Sequence, residues 1–114
     1  MFKGMGGIGD MAKMMSKAKE MQDRVQSLQE EIKSIEVTGE AGAGLVKARA
    51  NAGGDLLSLD IDPTILVASE KEVVEDLILA AIKDAQARGK DRAQVEQRKL
   101  LEELGLPADM NLPF

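Results

Sequence analysis

The sequence predicts an α+β fold: a long N-terminal helix, a three-stranded antiparallel meander, and a long C-terminal helix. Three observations lead there. Apolar residues recur at alternating steps of three and four from Met11 to Ile35. After Glu36 the period shortens to two, interrupted twice by glycine-rich turns. A second helical period then runs from Val73 towards Leu104.

Residues 1–9 are rich in Gly and Met and are expected to form a flexible arm. Asp10 fits an N-cap, because its carboxylate can accept from the free N–H groups of a first turn. Apolar side chains then fall at Met11, Met14, Ala18, Met21, Val25, Leu28, Ile32 and Ile35, with no Gly or Pro between them. That is a coiled-coil repeat sustained over more than three heptads. A helix over residues 10–35 would be about 40 Å long at 1.5 Å per residue. A small sheet cannot cover such a stripe, so the helix needs a helical neighbour.

The meander is expected within residues 36–62. Val37 and Thr38 favour a strand, and Gly39-Glu40-Ala41-Gly42-Ala43-Gly44 reads as a strand end plus a turn. From Leu45 to Asn51, Val46, Ala48 and Ala50 share one face while Leu45, Lys47, Arg49 and Asn51 share the other. Ala52-Gly53-Gly54-Asp55 is a hairpin signal. The next strand is expected to turn Leu57, Leu59 and Ile61 inward and Ser58, Asp60 and Asp62 outward, until Pro63 ends it.

Thr64 to Ser69 reads as a short helical turn. Ser69, with Glu72 three residues on, forms a capping-box pattern for a helix over residues 70–104. Its stripe is Val73, Val74, Leu77, Ile78, Ala81, Ile82 and Ala85, resuming at Val95, Leu100, Leu101 and Leu104. Gly89 interrupts at a cost of about 1 kcal/mol relative to Ala, so a kink there is an open alternative to a continuous helix. Gly105-Leu106-Pro107 stops the helix, and residues 105–114 are expected to form an extended tail.

Composition narrows function more than it defines it. The 114 residues make one domain, without an internal repeat or linker. The only aromatic residues are Phe2 and Phe114, so aliphatic side chains must do the packing. A chain this size has a thin core of its own, which makes a dimer with a shared core the expected state. Cysteine and histidine are both absent, removing thiolate metal sites together with the commonest general base and metal ligand. The expectation is a protein without a cofactor or metal, and not an enzyme. No apolar run approaches a membrane span and the opening lacks a signal-peptide core, so a cytoplasmic location is expected.

The phrase Glu36-Val37-Thr38-Gly39-Glu40-Ala41-Gly42-Ala43-Gly44-Leu45-Val46-Lys47 closely resembles the signature of the YbaB/EbfC family of nucleoid-associated proteins. Ile61-Asp62-Pro63, Glu75-Asp76-Leu77, Ala80-Ala81, Asp84-Ala85 and Leu112-Pro113-Phe114 extend the resemblance over essentially the whole chain. The departure is Gly89 and the charged segment behind it, which concerns the course of the last helix. The resemblance implies a bacterial homodimer with a shared α/β core and protruding helical arms. It also implies binding to DNA and alteration of its conformation, in nucleoid organisation, gene regulation and DNA protection.

Charge along the chain tests whether that function is physically reasonable. The total is −5, from 15 Lys and Arg against 20 acidic residues. Yet residues 1–24 hold five cations against three acids, and residues 81–99 hold six against three. Phosphates respond to local charge, because screening acts over about 8 Å at physiological salt. The expected phosphate contacts are Lys13, Lys17, Lys19 and Arg24 on the first helix, and Arg88, Lys90, Arg92, Arg98 and Lys99 on the last. The two basic segments are expected to meet at the ends of the helices away from the sheet. Nothing selects Gln22 or Gln94 for base contacts, so sequence preference should be weak.

Each feature also has a structural reading. A Lys/Arg-rich face with interleaved acids is ordinarily a solvated face, and only the resemblance turns it towards DNA. The methionine stripe reads as seam packing rather than metal binding. Gly39–Gly44 lacks the Lys-Ser/Thr ending of a phosphate-binding loop. Asp55, Asp60 and Asp62 have no evident third partner for a metal and are read as solvated. The alternative function is an adaptor whose helical arms grip a DNA recombination or replication protein, with indirect DNA contact.

Overall fold

The computed structural model describes residues 3–107 and 109, with side chains from Gly9 onward. Its elements are α1 (Lys3–Ser34), β1 (Glu36–Ala41), β2 (Val46–Asn51), β3 (Leu56–Ile61), two 3-10 turns (Pro63–Ile65 and Ala68–Glu70) and α2 (Lys71–Glu103). This is the predicted fold class. Most of the expected tail, and Met1 and Phe2 of the expected flexible arm, lie outside the described residues.

α1 begins at Lys3, so Asp10 sits inside the helix and does not cap it. Once a helix is nucleated, each added residue gains a hydrogen bond, and the long helix downstream supplies the nucleus. The second helix differs at its start too. Ser69 falls within a 3-10 turn, and the N-cap of α2 is Glu70, with no side-chain cap bond. A cap needs extended backbone; here Val67 holds that conformation at the entry to the turn, ahead of Ser69.

The sheet is antiparallel in the order β1-β2-β3. Val46, Ala48 and Ala50 are fully buried on the face beneath α2, while Lys47 and Arg49 point outward. A bulge at Arg49/Ala50 sets Arg49 opposite Ser58 and Ala50 opposite Leu56. α2 packs across β1 and β2 and largely misses β3. Leu57 and Leu59, expected to pack inward, therefore remain 46% and 40% exposed. Leu59 pairs with buried Ala48 and so faces the helix side, but no described element of this chain fully covers it.

α2 lies close because small residues line the contact. Ala81, Ala85 and Gly89, four apart on one face, meet Gly39, Ala48 and Ala50 and the turn after β2. A Cβ on Gly39 would fall 2.1 Å from the Ala85 backbone nitrogen, and one on Gly89 would fall 2.8 Å from the Asn51 carbonyl oxygen. Gly89 therefore creates no break: α2 is continuous, and the glycine is where it presses on the sheet end.

A second apolar cluster joins the helices: Val25, Leu28 and Ile32 of α1 with Ala52 and Leu100. The helices run antiparallel there, since Ala52 donates to the Ile35 carbonyl at 2.9 Å while Arg24 pairs with Glu103. Beyond Arg24, α1 continues towards its N-terminus with no other described element beside it. The molecule is accordingly a rod of 83 × 20 × 17 Å.

Candidate nucleic-acid interface

The expected phosphate-contacting residues separate into three settings. Lys13, Lys17 and Lys19 stand on the stretch of α1 that projects past the end of α2, exposed and without an ion pair among the described residues. Lys13 and Lys17 share a face one turn apart, whereas Lys19 points to another side. Among the described residues nothing pairs with the three ammonium groups.

Arg24, Arg92 and Lys99 lie where α1 and α2 run side by side, and each already faces a carboxylate. Arg24 pairs with Glu103, and Arg92 Nε and Lys99 Nζ both reach Glu96 Oε1 at 3.4 Å. Glu96 is buried, at 8% exposure, so its two cations offset a charge the helix pair would otherwise bury alone. Further back, Arg88 Nε lies 3.1 Å from Asp84 Oδ2. Asp84 also accepts from the Glu40 backbone N–H at 3.0 Å, tying α2 to β1. That backbone bond first, and Arg88 second, hold the Asp84 carboxyl below its ordinary range.

Lys90 and Arg98 are exposed and belong to no ion pair among the described residues. The cations of α2 nevertheless occupy both of its flanks. Arg88 and Arg92 line a groove with Val37 and Thr38 of β1. Lys90 stands one turn beyond Gln86, whose amide reaches the Gly54 carbonyl of the β2–β3 hairpin at 3.5 Å. Lys83, seven residues before Lys90, shares that flank and is exposed. It is absent from the residues that sequence reasoning singles out, although the spacing of seven is a readable signal.

The expected meeting of the two basic segments at one end thus takes a narrower form. Arg98 and Lys99 come level with Arg24, while Arg88 and Lys90 flank Gly89 at the sheet, and Lys13, Lys17 and Lys19 lie farther out on α1 alone. Gln22 and Gln94 are exposed.

Two of the three acidic residues weighed as metal ligands, Asp62 and Asp55, have local partners. Asp62 accepts from the Thr64 backbone N–H at 2.9 Å and from its hydroxyl at 2.6 Å, which starts the first 3-10 turn. Those bonds, the hydroxyl foremost, lower its carboxyl from the usual value. Asp55 closes the β2–β3 hairpin with Asn51, its Oδ2 accepting at 3.1 Å. Among the described residues no group of three or more acidic, His or Cys side chains could hold a metal.

The described residues thus form a helix–meander–helix rod with Lys13, Lys17 and Lys19 exposed on a projecting stretch of α1. The chain belongs to the YbaB/EbfC DNA-binding family, whose model matches residues 5–104. It is 44% identical over 105 residues to nucleoid-associated protein Atu0095 of Agrobacterium fabrum, covering 92% of this chain and 98% of that one. Its fold is similar to the crystal structure of uncharacterized protein HP0035 from Helicobacter pylori, with a TM-score of 0.63 and 24% identity. That match covers 89% of this chain and 97% of the other.

Proposed function

We propose that this protein is a non-enzymatic, nucleoid-associated protein that binds double-stranded DNA as a homodimer through phosphate contacts and alters its conformation. Family membership and the name of the Agrobacterium relative support the DNA-binding role. The observation that carries the mechanism is the projecting part of α1, with Lys13, Lys17 and Lys19 exposed. Arg98, Lys90 and Lys83 form a secondary set; Arg24, Arg88, Arg92 and Lys99 contribute less, because binding must share them with a carboxylate. The work is done in the cytoplasm, at the nucleoid, in DNA organisation, protection and gene regulation. No helix among the described residues is long and apolar enough to cross a membrane.

The second copy has a natural seat on the uncovered part of the sheet. Leu56, Leu57 and Leu59 of β3 and Leu79 of α2 are 40–53% exposed. A leucine gains about 1.5–3 kcal/mol when moved fully from water into an apolar contact, so covering this patch favours association. β3 is also an edge strand, which invites coverage.

Sedimentation of the protein with and without a short duplex tests this reading. A dimer that co-sediments with DNA at low salt and releases it as salt rises is the expected result. Failure to bind any duplex at low salt would overturn direct contact. It would leave the adaptor reading, which the negative total charge and the exposed Met11 and Met14 favour.

A further inference from the structure

The chain contains no Cys, His, Trp or Tyr, which leaves methionine as the side chain that a mild peroxide oxidises. Six of its seven methionines fall within the first 21 residues, so that chemistry is concentrated at one end of the sequence. Met11, Met14 and Met15 are 62%, 69% and 70% exposed, and a small oxidant reaches their sulfurs directly from solvent. Met21, one turn from the Arg24–Glu103 pair, is half-buried. The exposed thioethers alternate with the proposed DNA contacts. Lys17 follows Met14 by three residues and Lys19 follows Met15 by four, so each ammonium stands one turn from a thioether.

This part of α1 is also where a helix is easiest to loosen. No other described element lies beside it beyond Arg24. A helical stretch without packing relies on the intrinsic preference of its own residues. From Met11 to Met21 every residue except Ser16 is Met, Ala, Lys or Glu, all strong helix formers. Gly4, Gly6, Gly7 and Gly9 come before them and add little. Methionine contributes because its unbranched apolar chain loses little rotamer freedom in a helix and does not compete for backbone hydrogen bonds. Oxidation removes that advantage. The sulfoxide is polar, and its oxygen is an acceptor that competes for backbone N–H groups as other polar side chains do.

We propose that Met11, Met14 and Met15 form a redox-sensitive modification site: hydrogen peroxide converts them to sulfoxides, which loosen the projecting helix and weaken its hold on DNA. The thioether sulfur attacks one peroxide oxygen, and an S–O bond forms as the O–O bond breaks. Sulfur gives up two electrons to the peroxide. The hydroxide that leaves takes the proton of the transferred oxygen and departs as water. Methionine sulfoxide reductases reverse the change, so the site can switch in both directions. The effect on DNA rests on the proposed function, whereas the oxidation and the loosening do not.

The test treats the full-length protein with dilute hydrogen peroxide and follows each methionine by peptide mass mapping. Sulfoxide should form at Met11, Met14 and Met15 several-fold faster than at Met21; equal rates overturn the site. Amide hydrogen exchange from Met11 to Met21 should then quicken several-fold while that of β2 stays as it was. Unchanged exchange along the stretch contradicts the loosening. Duplex affinity at low salt should fall several-fold and recover after treatment with sulfoxide reductase. Met11→Leu/Met14→Leu/Met15→Leu keeps an apolar helix former at each position, and it should hold both its exchange and its affinity through the same treatment. A loss in that variant as large as the parent's would assign the effect to other methionines and overturn the proposal. A parent that binds no duplex before oxidation would overturn the proposed function, while the mass map and the exchange still decide the modification site.

Discussion

Where α2 crosses β1, there is no room for a single added carbon: Gly39 meets the backbone of Ala85 with nothing between. On the projecting part of α1, by contrast, Met11, Met14 and Met15 are 62–70% exposed and the lysines beside them have no ion pair among the described residues. The first region is specified by what it excludes. It reads as alanine and glycine because any larger side chain would push the helix off the sheet. The second is constrained mainly by the need to remain helical, and its side chains are exposed to solvent. If the proposed DNA contact is made there, stability and function are separated along the rod, and substitutions in the two regions should fail in different ways.

The largest effect is expected at the crowded end. Gly39→Val forces branched carbons into the Ala85 backbone and should cost about 3 kcal/mol or more in urea denaturation. Mild destabilisation there would mean that helix and sheet can part easily. Next is the uncovered strand. Leu59→Asp places a charge on the patch proposed for a second copy, and sedimentation equilibrium should show dimer affinity weakened about a hundredfold with little loss of helix signal. If the dimer persists, association uses another face.

The projecting region should answer in DNA affinity alone. Lys17→Glu is expected to weaken duplex binding more than Arg92→Glu, because only the arginine is already engaged by a buried carboxylate. Neither should change the melting temperature as Gly39→Val does. The reverse ranking would place the DNA on the β1 side of α2. The smallest effect concerns Asp84. Its carboxyl is depressed in the folded state, so its contribution is present above the ordinary carboxylate range and fades as pH falls through the lowered value. Thermal melts below about pH 4 should therefore be less pH-dependent in Asp84→Asn than in the parent.

Much of this architecture is written in local pattern. The seam of α1, the alternation of β2, the turn at Ala52–Asp55 and the stop at Gly105 all arise from spacing between near neighbours. What the pattern left open depends on residues far apart in sequence. Gly89 looks like a helix flaw until Asn51 is found against it, though the recurrence of small residues at Ala81, Ala85 and Gly89 is a visible sign of a close contact. Leu57 and Leu59 alternate as an inward face should, but alternation cannot say whether a helix lies over that strand. The candidate site divides similarly. The pairings of Glu96 with Arg92 and Lys99 are readable at four and three residues' distance, whereas Arg24 and Glu103 meet only because the helices run antiparallel.

The most direct test is the salt dependence of duplex affinity for the parent and for Lys13→Gln/Lys17→Gln/Lys19→Gln. A dimer presents six of these lysines. Removing one phosphate-bound lysine should reduce the log–log slope by about 0.9, and removing all six by about 5 if every one touches DNA. A clearly shallower slope, with an unchanged melting temperature, is the predicted result. An identical slope would show that the projecting lysines do not meet the phosphates, and would contradict the proposed mode of binding.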